Sequence, residues 1–237
     1  MADLNGTVAL ITGAGSGVGR ATALRLAREG AGVGLLGRRP GPLEATAAEA
    51  RQLGGRAVVL PADVADDAAV EAAVARLVRE LGGLDVLVYS AGVGLYGPVE
   101  RYARADWDRT FATNVTGLFL CARAVLPHLR QRGGGSIIAI SSGAGRRGYA
   151  NLAAYSASKF AVIGFMESLA EEVGPDGIKC STILPGTILT DFGPTSAEQK
   201  RTSGAKYLLP EDVADAILFL LTRPAQAWVQ QLNLWPF

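Results

Sequence analysis

Short apolar runs alternate with longer amphipathic stretches along the whole chain. Residues 7–12 (TVALIT) are strand-forming, and residues 18–29 follow with apolar side chains at helical spacing. The clearest helix pattern begins after Asp66 and Asp67, whose negative charges favour a helix N-terminus. Its apolar face consists of Val70, Val74, Leu77, Val78 and Leu81. The alternation predicts a series of strand–helix units.

The same periodicities predict strands at residues 7–12, 32–37, 57–60, 84–90, 136–141, 178–184 and 230–234. They predict helices at residues 18–29, 43–53, 66–81, 105–132, 154–173 and 211–221. Residues 193–209 carry no clear pattern, and we expect a loop there that shapes the substrate pocket. Continuous apolar strands separated by helices indicate a parallel sheet covered on both faces. We therefore predict an α/β fold, a single doubly wound Rossmann domain over residues 1–237 with about seven parallel strands.

The amino-acid composition excludes several classes of partner and of catalytic site. Of 237 residues, 49% are hydrophobic, which is enough for a core, and 23 basic against 22 acidic residues indicate no nucleic-acid partner. Cys121, Cys180 and His128 are too few for a disulfide framework or a His/Cys zinc site, so we expect no metal. Because the chain has one histidine, we expect another residue type to transfer protons.

No segment has the pattern of a membrane span or a secretory signal. The longest clear apolar run, residues 216–221, is far shorter than the roughly 20 residues of a membrane-crossing helix. The N-terminus carries an acid, Asp3, and no basic stretch ahead of an apolar one. We therefore expect a cytoplasmic protein with no membrane partner.

The first strand and the first helix are joined by a glycine-rich turn, Thr12-Gly13-Ala14-Gly15-Ser16-Gly17-Val18-Gly19. Glycine lets the backbone approach a pyrophosphate, and free N–H groups at the start of the following helix bind phosphate. The dinucleotide fingerprint G-x-G-x-x-G does not fit, because the required positions 18 and 20 hold valine and arginine. The glycines instead follow the spacing of positions 13, 17 and 19. The alternative is a flexible turn without a ligand.

This spacing and several later motifs resemble the short-chain dehydrogenase/reductase family, whose signature is T-G-x₃-G-x-G. The resemblance covers nearly the whole chain, with the motifs in the family's order. The later matching segments are Asp63-Val64, Ala91-Gly92, Asn114-Val115-Thr116-Gly117, Ser141-Ser142, Tyr155-Ser156-Ala157-Ser158-Lys159 and Pro185-Gly186 with Thr190. One departure is at Tyr89 and Ser90, which replace both asparagines of the family's N-N-A-G, including the one that tethers the strands.

The resemblance implies that these motifs form a groove for a nicotinamide dinucleotide. It implies cofactor contacts for Thr12, Gly13, Gly15, Ser16, Gly17, Val18, Gly19, Asp63, Val64, Ser90, Ala91, Gly92, Tyr155, Lys159, Pro185, Gly186, Ile188 and Thr190. Between Gly30 and Leu43 no acid is present to bind a ribose 2′-hydroxyl, and the second strand ends in Arg38 and Arg39. Because guanidinium groups bind phosphate, we predict NADP(H) in preference to NAD(H), with Arg38 on the 2′-phosphate and Arg39 assisting. The alternative is a pair of solvated arginines.

Tyr155 and Lys159 are four residues apart on a predicted helix and therefore share one face. A lysine ammonium near a tyrosine lowers the pKa of the phenol, and the positive nicotinamide of an oxidised cofactor adds to this effect. The resemblance implies that Tyr155 is the general acid of reduction, that Lys159 lowers its pKa and holds the ribose, and that Ser142 hydrogen-bonds the substrate oxygen. It also implies that Asn114 orders a water molecule. Ser141 is the alternative to Ser142, since strand alternation turns only one of them toward the site.

The sequence thus predicts an oxidoreductase that transfers hydride between NADP(H) and a ketone, aldehyde or secondary alcohol, of the 3-oxoacyl type or another small carbonyl. The alternatives are an NADPH-binding sensor without turnover, an NAD-dependent alcohol dehydrogenase and, remotely, a methyltransferase. Arg146 and Arg147 lie at the expected mouth of the site, where they suit either an anionic substrate or a solvated loop. By position, the expected apolar wall residues are Tyr96, Tyr149, Leu152 and Phe192. The resemblance implies a homotetramer or dimer packed through residues 105–132 and 154–173.

Overall fold

The computed structural model describes residues 4–237, so Asp3 of the predicted N-terminal pattern lies outside the described residues. Seven strands form one sheet in the order β3-β2-β1-β4-β5-β6-β7, and every neighbouring pair is parallel. The strands are β1 (Val8–Thr12), β2 (Gly32–Gly37), β3 (Ala57–Pro61), β4 (Val86–Tyr89), β5 (Gly135–Ile140), β6 (Ile178–Pro185) and β7 (Gln231–Leu234). The chain winds outward from β1 to β3 and then, on the other side of β1, from β4 to β7. The predicted doubly wound Rossmann fold is confirmed.

Helices cover both faces of this sheet. They are α1 (Gly17–Arg28), α2 (Pro40–Gln52), α3 (Asp67–Leu81), α4 (Arg104–Phe111), α5 (Gly117–Gln131), α6 (Ala153–Val173), α7 (Ala197–Thr202) and α8 (Pro210–Leu221). Helix α3 begins where the charge pattern predicts, because Asp66 accepts a hydrogen bond from the backbone N–H of Ala69 at 3.0 Å. It ends at Gly82, whose φ of 86° is the left-handed conformation that glycine adopts without strain.

Alternating strand residues divide the core into two layers. Leu10 and Leu87 point into a layer that contains the apolar faces of α3, α5 and α6. Their neighbours Ile11 and Val88 point into a second layer, with α1, α2 and α8. Since both faces of the sheet are buried in this way, its polar chemistry is confined to the ends of the strands.

The structure divides the helix predicted at residues 105–132. After α4, a π-helical turn occupies Ala112–Thr116, where the N–H of Gly117 donates to the carbonyl of Ala112, five residues back. The turn lies against β4, because the buried Tyr89 hydroxyl donates a hydrogen bond to the carbonyl of Thr113. A Cβ at Gly117 would overlap that hydroxyl. Helical backbone thus runs from Arg104 to Gln131, close to the predicted bounds, but a π-helical turn that the periodicity did not predict divides it into α4 and α5 beside the Tyr89 contact.

Two other boundaries differ from the prediction. Helix α2 begins at Pro40 rather than at residue 43, since proline suits the first turn of a helix. The predicted loop at residues 193–209 contains α7, which begins with Ser196 accepting from the backbone N–H of Gln199 while the Gln199 side chain accepts from the N–H of Ser196. Across residues 4–237 no helix is both long and apolar enough to cross a membrane, and no cluster of three metal-binding side chains is found.

Candidate active site

The turn between β1 and α1 has a conformation that requires glycine. Gly13 and Gly17 have φ angles of 67° and 50°. A Cβ at Gly13 would come within 3.2 Å of the backbone of Ser90 and Ala91, and one at Gly19 would overlap the carbonyl of Gly13. These close approaches bring the turn against the end of β4 and keep it free of side chains, as a backbone cradle for a pyrophosphate must be.

Thr12 fixes the two strand ends that border this cradle. Its hydroxyl oxygen accepts hydrogen bonds from the backbone N–H groups of Ser90 at 3.0 Å and Ala91 at 2.9 Å. With asparagine replaced at positions 89 and 90, the tether between β1 and the segment after β4 therefore comes from Thr12. The sequence motif contains this threonine, but its local pattern gives no sign of the cross-strand contact.

The cradle opens into a groove of about 190 Å³ along the carboxyl ends of β1, β2, β3 and β4. The groove is lined by Gly13, Gly15, Ser16, Gly37, Arg38, Arg39, Pro42, Leu43, Ala62, Asp63, Val64, Ala91, Gly92, Val93 and Thr113. At the β2 end, Arg38 lies 4.0 Å from a carboxylate oxygen of Asp63. At the start of α1, the Ser16 side chain makes no capping hydrogen bond within the described residues, so the backbone N–H groups there face the groove. The groove therefore fits an anionic dinucleotide, with two cations at one end.

Tyr155 and Lys159 lie on α6, next to the part of the groove that Gly92 lines. The Tyr155 side chain is 7% exposed and Lys159 is 5% exposed. The Lys159 ammonium donates to the carbonyl of Ile140 at 2.8 Å and lies 5.7 Å from the centre of the Tyr155 ring. A Cβ at Gly92 would stand 3.8 Å from the ammonium, so Lys159 borders the groove directly.

The two serines after β5 have different surroundings. The buried Ser141 hydroxyl donates to the carbonyl of Lys159 at 2.9 Å, which turns it toward α6 and away from the groove. Ser142 is partly exposed, and its Oγ accepts from the N–H of Ala144 at 3.1 Å. The Ser142 side chain acts to lower the pKa of Tyr155, so this pair faces the same space.

Asn114 is fully buried in the π-helical turn and joins three segments. Its Oδ1 accepts from the N–H of Val93 at 2.8 Å, and its Nδ2 donates to the carbonyl of Val93 at 3.1 Å and to the Ser158 hydroxyl at 3.0 Å. Ser158 in turn donates to the carbonyl of Tyr155 at 2.7 Å. Both Nδ2 hydrogens are thus engaged, and Oδ1 alone retains acceptor capacity. Ser158 was missed from the sequence, although it lies inside the Tyr155–Lys159 motif.

Burial moves the pKa values of the pair in opposite directions. It raises the pKa of Tyr155 well above its usual range, Tyr96 raises it further, and the hydrogen bond from Ser142 partly offsets both. Burial lowers the pKa of Lys159 to about 8. The sequence predicts that the pKa of Tyr155 is lowered, whereas the surrounding protein raises it and so stabilises the protonated phenol. The reason is that burial, reinforced by Tyr96, disfavours the charged phenolate.

The segment after β6 lies across the groove. The Thr190 methyl group would be 3.3 Å from a Cβ at Gly17, which places Thr190 over the glycine turn. Ile188 pairs with Leu208 in an isolated bridge. The N–H of Gly186, which follows Pro185, donates to the carbonyl of Leu234 at 2.7 Å. Thus Thr190, in the segment expected to meet the nicotinamide, lies against the glycine turn.

Aromatic side chains surround the Tyr155 ring. The Tyr96 ring stands edge-on to it at a centroid distance of 5.5 Å, and the Phe192 ring is tilted against it at 5.9 Å. Tyr149, by contrast, is engaged with Arg147, which donates to its hydroxyl at 2.9 Å and lies over its ring. The structure therefore brings two of the expected wall residues, Tyr96 and Phe192, against Tyr155, and the helix-capping Leu152 and Tyr149 are not seen in contact with it.

Arg146 and Arg147 do not converge on Tyr155. The Arg146 guanidinium donates to the side-chain amide oxygen of Gln231, on β7. Arg147 is bound to Tyr149 as described. Both cations are thus engaged within the chain, and neither contact brings a positive charge to the Tyr155 hydroxyl.

A protein-family model described as short chain dehydrogenase matches residues 7–201. The chain belongs to this family. D-threitol dehydrogenase of Mycolicibacterium smegmatis is 38% identical to this short-chain dehydrogenase over 232 residues, which are 94% of this chain and 88% of that protein. One much longer relative, 36% identical, is matched over 19% of its own length. The family suggested by the sequence motifs is confirmed, and the protein is an oxidoreductase of that family.

Solved structures match the short-chain dehydrogenase along nearly its whole length. Carveol dehydrogenase from Mycobacterium avium in complex with NAD has a TM-score of 0.91 at 29% identity, covering 99% of this chain and 98% of that chain. A metagenomic short-chain oxidoreductase in complex with NADP has a TM-score of 0.86 at 34% identity, with the same coverage of 99% and 98%. The neighbouring structures therefore include complexes with each of the two nicotinamide cofactors.

Proposed function

We propose that this short-chain dehydrogenase reduces ketones or aldehydes to alcohols with NADPH, and catalyses the reverse oxidation. The observation that carries the proposal is that Tyr155 and Lys159 lie together on α6, with Lys159 beside Gly92 of the groove that also holds Arg38. Ser142 lies close enough to Tyr155 to influence its pKa. An acid, a hydrogen-bond donor and a cation then meet where a carbonyl oxygen would gain charge during hydride addition.

In this proposal, different residues of the groove bind different parts of the cofactor. The glycine turn and the start of α1 hold the pyrophosphate, and Asp63 with Val64 borders the adenine. Arg38 binds the ribose 2′-phosphate with help from Arg39, while Lys159 and the segment at Thr190 hold the nicotinamide end. The absence of an acidic side chain between residues 30 and 43 supports NADP(H) over NAD(H).

Bound NADPH supplies a hydride to the carbonyl carbon. As the carbonyl oxygen gains negative charge, Tyr155 transfers its hydroxyl proton to it. Ser142 donates a hydrogen bond to the same oxygen, since its Oγ already accepts from the N–H of Ala144 and its O–H stays available as a donor. The Lys159 ammonium then stabilises the phenolate that remains. The raised pKa of Tyr155 supports this role, because it keeps the proton on the phenol until it is needed.

The remaining assignments follow from the same proposal. The substrate is a small carbonyl compound, of the 3-oxoacyl type or another class, with residues 193–209 shaping its pocket. Residues 1–237 act as one domain that binds cofactor and substrate. The protein works in the cytoplasm as a homotetramer or dimer.

The test is a panel of small aldehydes and ketones followed by the loss of NADPH absorbance, repeated with NADH. We expect turnover with a higher kcat/KM for NADPH. Tyr155→Phe should lower kcat by about 10²- to 10⁴-fold, because it removes the acid, and should leave NADPH binding by fluorescence titration unchanged. The matched control is Tyr149→Phe, which removes an exposed hydroxyl and should keep wild-type kcat.

Three results would contradict the proposal in different ways. Full activity in Tyr155→Phe would remove the assigned acid. NADPH binding without turnover across the panel would favour a sensor. A higher kcat/KM for NADH would remove the role given to Arg38.

A further inference from the structure

One buried lysine has no part in the proposed chemistry. Lys200 lies on α7, inside the stretch predicted as a loop, and is only 7% exposed. Burial lowers the pKa of its ammonium, against which nearby Asp191 acts. An ammonium removed from water is costly unless its hydrogens are bonded, so the partners of Lys200 indicate what it does.

The Lys200 ammonium donates to carbonyl oxygens of one short segment. The acceptors are Thr190 at 2.6 Å, Phe192 at 3.1 Å and Ile188 at 3.4 Å. An ammonium has three donors, and three carbonyls on alternate residues match them. A second contact ties α7 to the same segment, since the Asp191 carboxylate accepts from the N–H of Ala197 at 2.7 Å. The segment 188–192 is thus drawn around one cation.

This segment carries a side chain that covers the proposed acid. The Phe192 ring lies 5.9 Å from the Tyr155 ring, and its edge would be 2.7 Å from a Cβ at Gly94. The ring therefore fits closely between Tyr155 and the chain after β4. The N–H of Phe192 makes only a long 3.4 Å contact with the Thr190 hydroxyl, so the Lys200 bond to its carbonyl is the shorter of the two.

We propose that Lys200 is a positioning residue that seats the Phe192 ring beside Tyr155 and thereby limits the size of the carbonyl substituent that reaches the site. The inference rests on the proposed reduction, with Tyr155 as its acid. Lys200 touches neither substrate nor cofactor in this role. It acts through the three carbonyls, and Phe192 is the specificity-determining side chain.

The kinetic test is a double-mutant cycle on substrate size, with 2-naphthaldehyde and acetaldehyde as probes. Lys200→Met keeps the apolar stem and removes the charge, and Phe192→Ala removes the ring. Each should raise the ratio of kcat/KM for the large over the small aldehyde about tenfold, the range that differences in apolar pocket size produce. In the double variant this ratio of kcat/KM should not increase further, because both changes act on one contact.

A matched control is Lys206→Met in the same stretch, whose ammonium lies over the Phe237 ring, away from the 188–192 segment. It should leave the ratio unchanged. An unchanged ratio in Lys200→Met, or effects of the two single changes that multiply in the double variant, would overturn the proposal.

A second measurement does not depend on turnover. Hydroxyl-radical footprinting with mass spectrometry reports the exposure of Tyr155, which should increase in Lys200→Met and remain at the wild-type level in Lys206→Met. If the wild-type enzyme reduces no carbonyl compound of the panel, the proposed function fails, and labelling alone decides the role of Lys200. Unchanged labelling of Tyr155 in Lys200→Met would overturn that role.

Discussion

At the scale of single residues, burial shifts the pKa values of Tyr155 and Lys159 in opposite directions, and both shifts favour the form that carries less charge. Burial keeps the phenol protonated and brings the pKa of the ammonium down to about 8, whereas a solvated lysine titrates near 10.4. As pH rises through about 8, the lysine is therefore the first of the two to lose its proton. The rate of carbonyl reduction depends on that positive charge in the proposed mechanism.

We therefore expect kcat for reduction to be constant at neutral pH and to fall as pH rises through about 8. In Lys159→Arg, the fall should move to higher pH even if the maximum is lower, because a guanidinium stays protonated. A pH profile of kcat at saturating cofactor and substrate measures both. A rate that increases through this range would show that the neutral lysine is the active form.

The Tyr155 pKa also marks what a sequence can predict at this scale. The spacing of Tyr155 and Lys159 gives their shared helix face. The direction of the pKa shift depends first on the burial of Tyr155 among packed elements and then on Tyr96, which is distant in the sequence. Neither has a local signal in the sequence. The roles of Tyr155, Ser142, Lys159 and Asn114 remain predictions until the variants are measured.

At the scale of elements, the junction of α4 and α5 depends on Tyr89. Its side chain is 2% exposed, and its hydroxyl supplies a hydrogen bond to the carbonyl of Thr113, next to Asn114. The apolar periodicity of residues 105–132 is continuous and predicts one helix. The π-helical turn lies close to β4 because the Tyr89 hydroxyl bonds to it and because Gly117 has no side chain in the way. The apolar periodicity of the sequence carries no information on this contact.

We expect Tyr89→Phe to lower the free energy of unfolding by about 0.5–1.5 kcal/mol, because it removes the hydrogen bond to the carbonyl of Thr113. Urea denaturation at neutral pH measures the change. Tyr102→Phe is the matched control, since its hydroxyl also donates to a carbonyl, that of Leu95 at 2.9 Å, in a less buried place. Tyr102→Phe should lower the free energy of unfolding by less than Tyr89→Phe does. A Tyr89→Phe protein as stable as wild type would contradict the anchoring role.

At the scale of the whole molecule, strand–helix alternation was sufficient to predict the sheet, because both of its faces are buried and the strands are therefore continuous apolar runs. The seven strands lie where the pattern places them, within a few residues. The stretch at 193–209 was not predictable in the same way. Its helix α7 is six residues long and held by Lys200 and Asp191 contacts rather than by an apolar face.

The proposed homo-oligomer is supported by aromatic side chains on the outer faces of α5 and α6. Phe119 is 43% exposed and Phe160 is 46% exposed. We expect size-exclusion chromatography with light scattering to give two or four times the chain mass of 24.6 kDa. Phe119→Asp should lower the mass, because a charge in an apolar interface is costly, whereas Phe219→Asp on α8 should not. A wild-type mass of one chain would end the proposal.

Trp235 is placed where it can report on the active site optically. Its indole lies against the backbone of Gly143, directly after Ser142, and against Gly186, at the start of the segment over the groove. It is half exposed, and the other two tryptophans are Trp107 on α4 and Trp228 in the segment before β7. The emission of this indole is sensitive to its surroundings, so a shift of either glycine changes its spectrum. The enzyme thus carries its own fluorophore between Ser142 and the start of the segment that follows β6.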